Sequence, residues 1–442
     1  MTRILWMGDL AATGFGSVTT DLGRALIDLG HDVRFLSQND LEGIPPEPFG
    51  SRTLDLAFYE MQATAGGGDR GGVAGVRDLV GDIIDGTTDA MLASGDPWGG
   101  WRPDAIVLLG DFWAVRIVAA RFEEQLRRIP IYHYVPIEGT NLPPRWNDLW
   151  SWIHPIAMSR FGAEQIAAVT GRVPPMAYHG VDAAAFHPAT PTSPVVVPID
   201  RDRTRDVRLA SRDAARRFFM GAKADPAQFW FVRTDRNMPR KRFGAMLRGM
   251  SPVLAAHPEA RLVLHCQEWD QGGDLLDEIS KMPPPVARQV ILPGLGAVPR
   301  EVLVALLNAS DAYVSTGAEG FGLCVAEALA CGLPAIGLGF SAVPEVIGPG
   351  GIVVPPAFAY DNEYNHFWAS PDEAQLTDAA TWLVEHPARA RELGQEGMRH
   401  VRSTFRWSEA ARVIAEAIAL DPSNATADAP EAPPPQDDPV VA

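Results

Sequence analysis

Two tandem α/β domains, each a doubly wound parallel sheet, are predicted by three observations. The 442 residues are too many for one ordinary core and suit two domains of near 200. Short β-rich runs alternate with amphipathic stretches in both halves, the mark of βαβ units. Apolar residues make up 46% and charged residues 21%, so the bulk of the chain is globular and neither disordered, coiled-coil nor collagen-like.

In the first half the strand pattern falls at residues 3–7, 32–36, 105–109, 129–135 and 154–158, with helices between them at 17–29, 114–127 and 162–169. The segment 188–205 is rich in Pro, Thr and charge and has no apolar period, so it reads as a linker or surface loop. A second βαβ series has strands at 229–232, 261–265, 289–292, 312–315 and 334–337. These readings divide the chain into residues 1–187, a linker or inserted loop at 188–224, and a second domain at 225–404. Residues 421–442 hold five acids, no base and a run of three prolines, and read as a disordered acidic tail. No repeat of solenoid period is present.

Composition excludes several function classes. With 38 basic against 55 acidic residues the formal charge is −17, which removes the general attraction most nucleic-acid binders use. Cys266, Cys324 and Cys331 are an odd set without CxxC spacing, against both a disulfide framework and a cysteine metal site. No window reaches 18 apolar residues and the N-terminus turns polar after one short run, so neither a membrane span nor a signal peptide is expected and the location expected is the cytoplasm.

Paired doubly wound sheets bind ligands at the carboxyl ends of their strands, which defines one cleft between the domains. The most informative stretch lies at such an end. A strand closes at Ser315, a loop carries Glu319-Gly320-Phe321-Gly322-Leu323, and a helix opens near Gly322. That arrangement sets backbone N–H groups and a positive dipole end where an anion would sit. Glu327, inside the helix, can accept two hydrogen bonds from a vicinal diol, and Glu319 can hold a second polyol. The competing reading is an ordinary βα turn with acids that merely complement the helix dipole.

Glu319 and Glu327 with seven residues between, the intervening Gly-Phe-Gly-Leu and the following Ala330-Cys331-Gly332-Leu333-Pro334 resemble the EX7E signature of retaining GT-B glycosyltransferases of family four, the glycosyl transferases group 1 class. Other pieces follow in that family's order: Gly14-Phe15-Gly16 after the first strand, His179-Gly180-Val181-Asp182 before Phe186 and Pro188 at the hinge, and Arg236 with Lys241 after the first strand of the second half. The resemblance spans about residues 3–420. It implies that Arg236 and Lys241 neutralise the diphosphate of a UDP- or GDP-sugar, that Glu327 holds the ribose, and that Glu319 with the amides of Gly320, Phe321, Gly322 and Leu323 holds the sugar and adjacent phosphate. Gly16 would let backbone approach the diphosphate from the opposite wall. The first domain would take the acceptor, and a final helix at 405–420 would cross back to it. No metal or other cofactor is implied. Against this, Arg236 and Lys241 can be read as a solvated basic turn with Arg240 and Arg242, and Glu345, in a Pro-Glu-Val turn, as structural.

One position departs from the pattern. Where many relatives place a His at the end of the fourth strand, His133 falls inside the strand and reads as packed. Glu138, at the strand tip before Gly139, is the expected acceptor-side carboxylate and general base; a loop acid bonded to nearby amides is the alternative. Asp200-Arg201-Asp202 matches a metal motif but lies in the expected linker, away from any strand end. Trp98, Trp101, Trp146, Trp150 and Trp152 can stack on an acceptor, although packing is the commoner use. The expected activity is transfer of a sugar to an acceptor hydroxyl with retention; a GT-B epimerase or phosphorylase and a non-catalytic nucleotide-sugar-binding protein are the competing classes. The acceptor is open among glycan, lipid, small molecule and modified nucleic-acid base.

Overall fold

The computed structural model describes residues 1–9, 13–37, 52–53, 83–84, 100–199 and 205–420. The Asp200–Asp202 motif, Trp98 and the 421–442 tail lie outside the described residues.

The first half begins with β1 (Arg3–Gly8), α1 (Gly14–Asp28), β2 (Asp32–Ser37) and β3 (Arg52–Thr53). It continues with β4 (Ala105–Leu109), α2 (Phe112–Leu126), β5 (Ile131–Val135), α3 (Trp146–Trp150), β6 (His154–Ala157) and α4 (Arg160–Thr170). All six strands form one parallel sheet in the order β3-β2-β1-β4-β5-β6. Ile4, Leu5, Trp6 and Met7 are all fully buried, which is why β1 reads as an unbroken apolar run: helices cover both faces of such a sheet. Thr13 caps α1, its hydroxyl accepting the Gly16 amide at 3.0 Å.

Residues 188–224 are not a structureless linker, which corrects the expectation. They hold an antiparallel pair, β7 (Val195–Pro198) and β8 (Asp206–Leu209), then α5 (Arg212–Met220). Val195, Val197 and Leu209 turn inward, and Ser211 caps the helix through the Ala214 amide. Arg216 is buried, donates to the carbonyls of Ala309 at 2.8 Å and Gln228 at 2.7 Å, and pairs with Asp311. Those bonds fasten the segment to the second domain. The prolines and threonines hid the short alternation of the two strands.

The second half runs β9 (Phe229–Arg233), α6 (Phe243–Ala256), β10 (Ala260–Leu264), the two-residue strands β11 (Trp269–Asp270) and β12 (Gly273–Asp274), α7 (Leu275–Ser280), α8 (Pro284–Ala287) and β13 (Val290–Ile291). After these come α9 (Arg300–Ala309), β14 (Ala312–Ser315), α10 (Leu323–Ala330), β15 (Ala335–Leu338), α11 (Val343–Ile347) and β16 (Gly351–Val354). Its parallel sheet has the order β13-β10-β9-β14-β15-β16, the same winding as the first. In each sheet the order reverses beside the first strand, so the tips of β1 and β4 and those of β9 and β14 are the crevices a ligand would use.

A hairpin that the sequence reading did not anticipate follows: β17 (Pro356–Asp361) and β18 (Phe367–Pro371). It reaches the first domain, where Thr140 and Phe367 exchange backbone hydrogen bonds at 3.0 and 2.9 Å. Then come α12 (Glu373–Glu385), α13 (Pro387–Thr404) and α14 (Trp407–Ala419), the last packed on α1 of the first domain. Among the described residues, no helix is long and apolar enough to cross a membrane.

Candidate active site

The facing sheet ends enclose a cleft of about 1530 Å³, lined by both domains. Glu138, Arg236, Lys241, Glu319, Gly320, Phe321, Gly322, Leu323 and Glu327 all line it. Gly16 is the exception among the expected site residues. Gly14 and Phe15 stand at the cleft, while the Gly16 amide is taken up by Thr13.

On the second-domain wall the turn Pro239–Lys241 and the left-handed Arg242 (φ 53°) lead the chain into α6. Buried Arg233 holds this turn: its guanidinium donates to the Lys241 carbonyl at 2.7 Å, Thr316 at 2.6 Å and Asp235 at 3.1 Å. Lys241 Nζ then sits between Asp235, at 2.9 Å, and Glu319. Facing cations hold the Asp235 carboxyl below its usual range despite burial. Arg236 lies further out, its guanidinium forked onto Asp270 at 2.9 and 3.1 Å with a side chain 59% exposed.

Arg240, set aside in the sequence as part of a basic turn, spans the cleft. Its Nε lies 2.9 Å from Glu138 of the first domain, and its Nη1 is 3.0 Å from Glu319 and donates to the Ala318 carbonyl at 2.8 Å. Asp111, at the tip of β4, is the fourth member of this charged group and was also missed. Burial pushes the Glu138 carboxyl up to about 7, opposed by Arg240 and reinforced by Asp111 and Glu319. Burial likewise raises Asp111, against the pull of Arg240 and a hydrogen bond from Trp113.

The loop before α10 needs glycine at two places. Gly322 has φ 103°, and a Cβ on Gly320 would meet Pro136 of the first domain at 2.4 Å. Glu319 donates its own amide to Ser341, whereas among the described residues the N–H groups of Gly320, Phe321 and Gly322 meet no acceptor, leaving a cationic helix start open to the cleft. Glu327 is buried in the second turn, and burial raises its carboxyl to about 8. Arg300 opposes the shift but is already engaged by Asp21 at 3.0 Å and Asp182 at 3.2 Å.

His133 is packed, as its place inside the strand suggested. Its Nδ1 accepts from the Trp150 indole at 3.3 Å, its Nε2 faces the Gly110 carbonyl at 2.9 Å, and burial lowers it to about 4. Glu345 is structural: it accepts the amides of Arg160 and Phe161 and the Tyr178 hydroxyl at 3.0, 2.8 and 2.6 Å, tying α4 to the second domain. Trp146 and Trp150 pack on Phe112.

Two Rossmann-like domains closing on one cleft define the GT-B class, and solved structures show the same fold. The chain superposes on the Anabaena protein HepE in complex with UDP-glucose with a TM-score of 0.65, at 15% identity over 95% of this chain and 100% of that one. Sucrose-phosphate synthase from Thermosynechococcus elongatus gives 0.63, at 19% identity over 95% and 98%. Residues 228–385, within the second domain, match the family model Glycosyl transferases group 1. Among curated relatives, a GDP-mannose-dependent phosphatidylinositol monomannoside mannosyltransferase of Corynebacterium glutamicum is 25% identical over 52% of this chain and 51% of its own length. D-inositol 3-phosphate glycosyltransferase of Rhodococcus opacus is 27% identical over 60% and 56%. The chain thus spans about half the length of the curated relatives it matches.

Proposed function

We propose that the chain is a retaining, metal-independent glycosyltransferase that moves a sugar from a UDP- or GDP-sugar to an acceptor hydroxyl in the cytoplasm. The observation that carries this reading is the cationic pair Arg240 and Lys241, shared among Glu138, Glu319 and Asp235 beside the open amides of Gly320 to Gly322. In this reading the bond to the diphosphate breaks first, with its electron pair on the leaving oxygen, and the acceptor oxygen bonds to the anomeric carbon on the face the diphosphate leaves, which is what retention requires. Lys241, the helix start and Arg236 at the rim take up that charge, and preorganised donors of this kind supply much of an enzyme's rate. Glu327 holds the ribose and Glu319 the transferred sugar. Glu138 fixes the acceptor and takes its proton, a task suited to a carboxyl near 7.

Both nucleotides remain in view because one relative is named for GDP-mannose and one solved structure holds UDP-glucose. The test supplies UDP- and GDP-hexoses with panels of acceptors, with and without EDTA, and follows donor and product anomer by NMR. Transfer with retention, unaffected by EDTA, is expected. An epimerised donor, an inverted product, or no donor consumed would overturn the proposal.

A further inference from the structure

Three consecutive bases, Arg240, Lys241 and Arg242, stand between β9 and α6, and each reaches a different target. Lys241 Nζ lies between Asp235 and Glu319, and Arg240 crosses to Glu138 of the first domain. Arg242 is not among the described residues that line the cleft. Its guanidinium meets the hairpin instead. Nε donates to Ser370 of β18 at 3.3 Å, and the central carbon stands 4.9 Å from the ring centroid of Tyr360 in β17. Ser370 is buried, so the bond is sheltered from water. Arg242 thus joins the donor-side turn to both strands of the hairpin.

The far end of the hairpin is seated on the first domain. Besides the exchange between Thr140 and Phe367, Tyr364 stacks on Trp113 at 6.3 Å between centroids and His366 meets Trp146 edge-on at 5.6 Å. The seat is close: a Cβ on Gly139 would meet the His366 ring at 2.3 Å and the Phe367 carbonyl at 2.4 Å. Gly139 lies between Glu138 and Thr140. The second domain therefore holds the acceptor-side carboxylate twice, by its side chain through Arg240 and by the backbone beside it through Phe367. A two-stranded hairpin is marginal by itself in water, so its order depends on what it docks against at each end. Loosening the Arg242 end loosens the Thr140 end.

We propose that the β17–β18 hairpin is a latch that positions Glu138 relative to the donor-side turn, and that Arg242 is the positioning residue through which the turn holds the latch. The base on the first domain is thereby fixed in the frame of the domain that carries the donor. Misplacing reacting groups by about 1 Å is enough to cost a large factor in rate, on the order of a hundredfold. The effect on turnover rests on the glycosyltransferase reading; the latch itself does not.

Hydrogen exchange of the full chain, read by mass spectrometry, tests the latch through Arg242→Asn, a replacement suited to the left-handed backbone at φ 53°. Peptides carrying the Thr140 and Phe367 amides should exchange at least about tenfold faster, although neither residue bonds to Arg242, while those of α10 keep the parent rate. Turnover should fall about tenfold, with UDP and GDP affinity by calorimetry within about threefold of the parent, which separates positioning from donor binding. Ser370→Ala removes the acceptor, leaves Arg242 in place and should move the same readouts, so it decides the matter if Arg242→Asn fails to fold. Three results would overturn the proposal: unchanged exchange at Thr140 and Phe367, faster exchange there with parent turnover, or nucleotide affinity that falls as far as turnover does. If the parent transfers no sugar, the glycosyltransferase reading falls, and exchange at Thr140 and Phe367 still decides the latch.

Discussion

Replacing Glu327 by Gln should uncouple nucleotide binding from pH. The carboxyl is 8% exposed, and burial raises it from an ordinary 4.5 to about 8 because Arg300 is already committed to Asp21 and Asp182. A ribose diol donating two hydrogen bonds favours the ionised form. The free protein at pH 7 holds that form in only about one molecule in ten, and apparent affinity scales with the competent fraction, so binding should tighten about tenfold between pH 7 and pH 9 and release a proton. A terminal phosphate has lost its second proton below this window, near pH 6, and leaves the slope to the protein. In Glu327→Gln the slope should vanish and affinity at pH 9 should fall about tenfold. Stability carries the opposite sign. An acid raised in the folded state costs nothing below its unfolded value, destabilises increasingly as pH rises from that value to the folded one, and costs a constant amount above it. The change from 4.5 to about 8 sets a ceiling of about 5 kcal/mol, which relaxation reduces. The variant should therefore melt higher than the parent at pH 9 and close to it at pH 4.5. Calorimetric titrations with UDP and GDP and scanning calorimetry across this range provide the assay. A parent affinity flat from pH 7 to 9, or a melting difference independent of pH, would refute the reasoning.

Three further outcomes follow from the site. Lys241→Ala should cost about 2 to 4 kcal/mol in kcat/KM, since it removes a preorganised cation and leaves Asp235 facing Glu319; full transfer by that variant, measured with the preferred donor, would end the diphosphate assignment. Glu138→Gln should lower kcat about a hundredfold, and parent turnover should rise as pH passes about 7, because a base acts deprotonated; near-normal turnover would remove Glu138 from the chemistry. His133→Ala should lower the melting temperature, because it strands the Trp150 N–H and costs about 1 to 3 kcal/mol, and a stable but inactive variant would return a catalytic role to the histidine.

Much of this molecule is legible along the chain, and the limits have identifiable causes. The strands that became β1, β4, β9 and β14 are readable because a sheet covered on both faces demands unbroken apolar runs. Glu319 and Glu327 are readable because a strand, a glycine loop and a helix fix where their side chains emerge. What spacing cannot supply is rotation about the backbone. Arg240, Lys241 and Arg242 are three consecutive bases, and only the tight turn at Pro239–Lys241 with a left-handed Arg242 decides which of them crosses to Glu138. Gly16 meets the same limit: a lone glycine says that backbone can approach, whereas the cap from Thr13 decides which amide is spent.

The β17–β18 hairpin marks a deeper limit. Its strand residues 356–360 are exposed or half-buried and carry no alternation, and its tip is fixed by bonds to Thr140, more than two hundred residues earlier. An element whose position depends on a distant surface leaves little periodic trace in its own sequence. It is also the element that brings Tyr364 to Trp113. The donor side of the cleft is built from local strand-to-helix geometry and could be read locally. The acceptor side is assembled across the domain boundary, from Asp111, Trp113 and Glu138 on one wall and Arg240 and Tyr364 on the other, so its chemistry emerges only when the two sheets face each other.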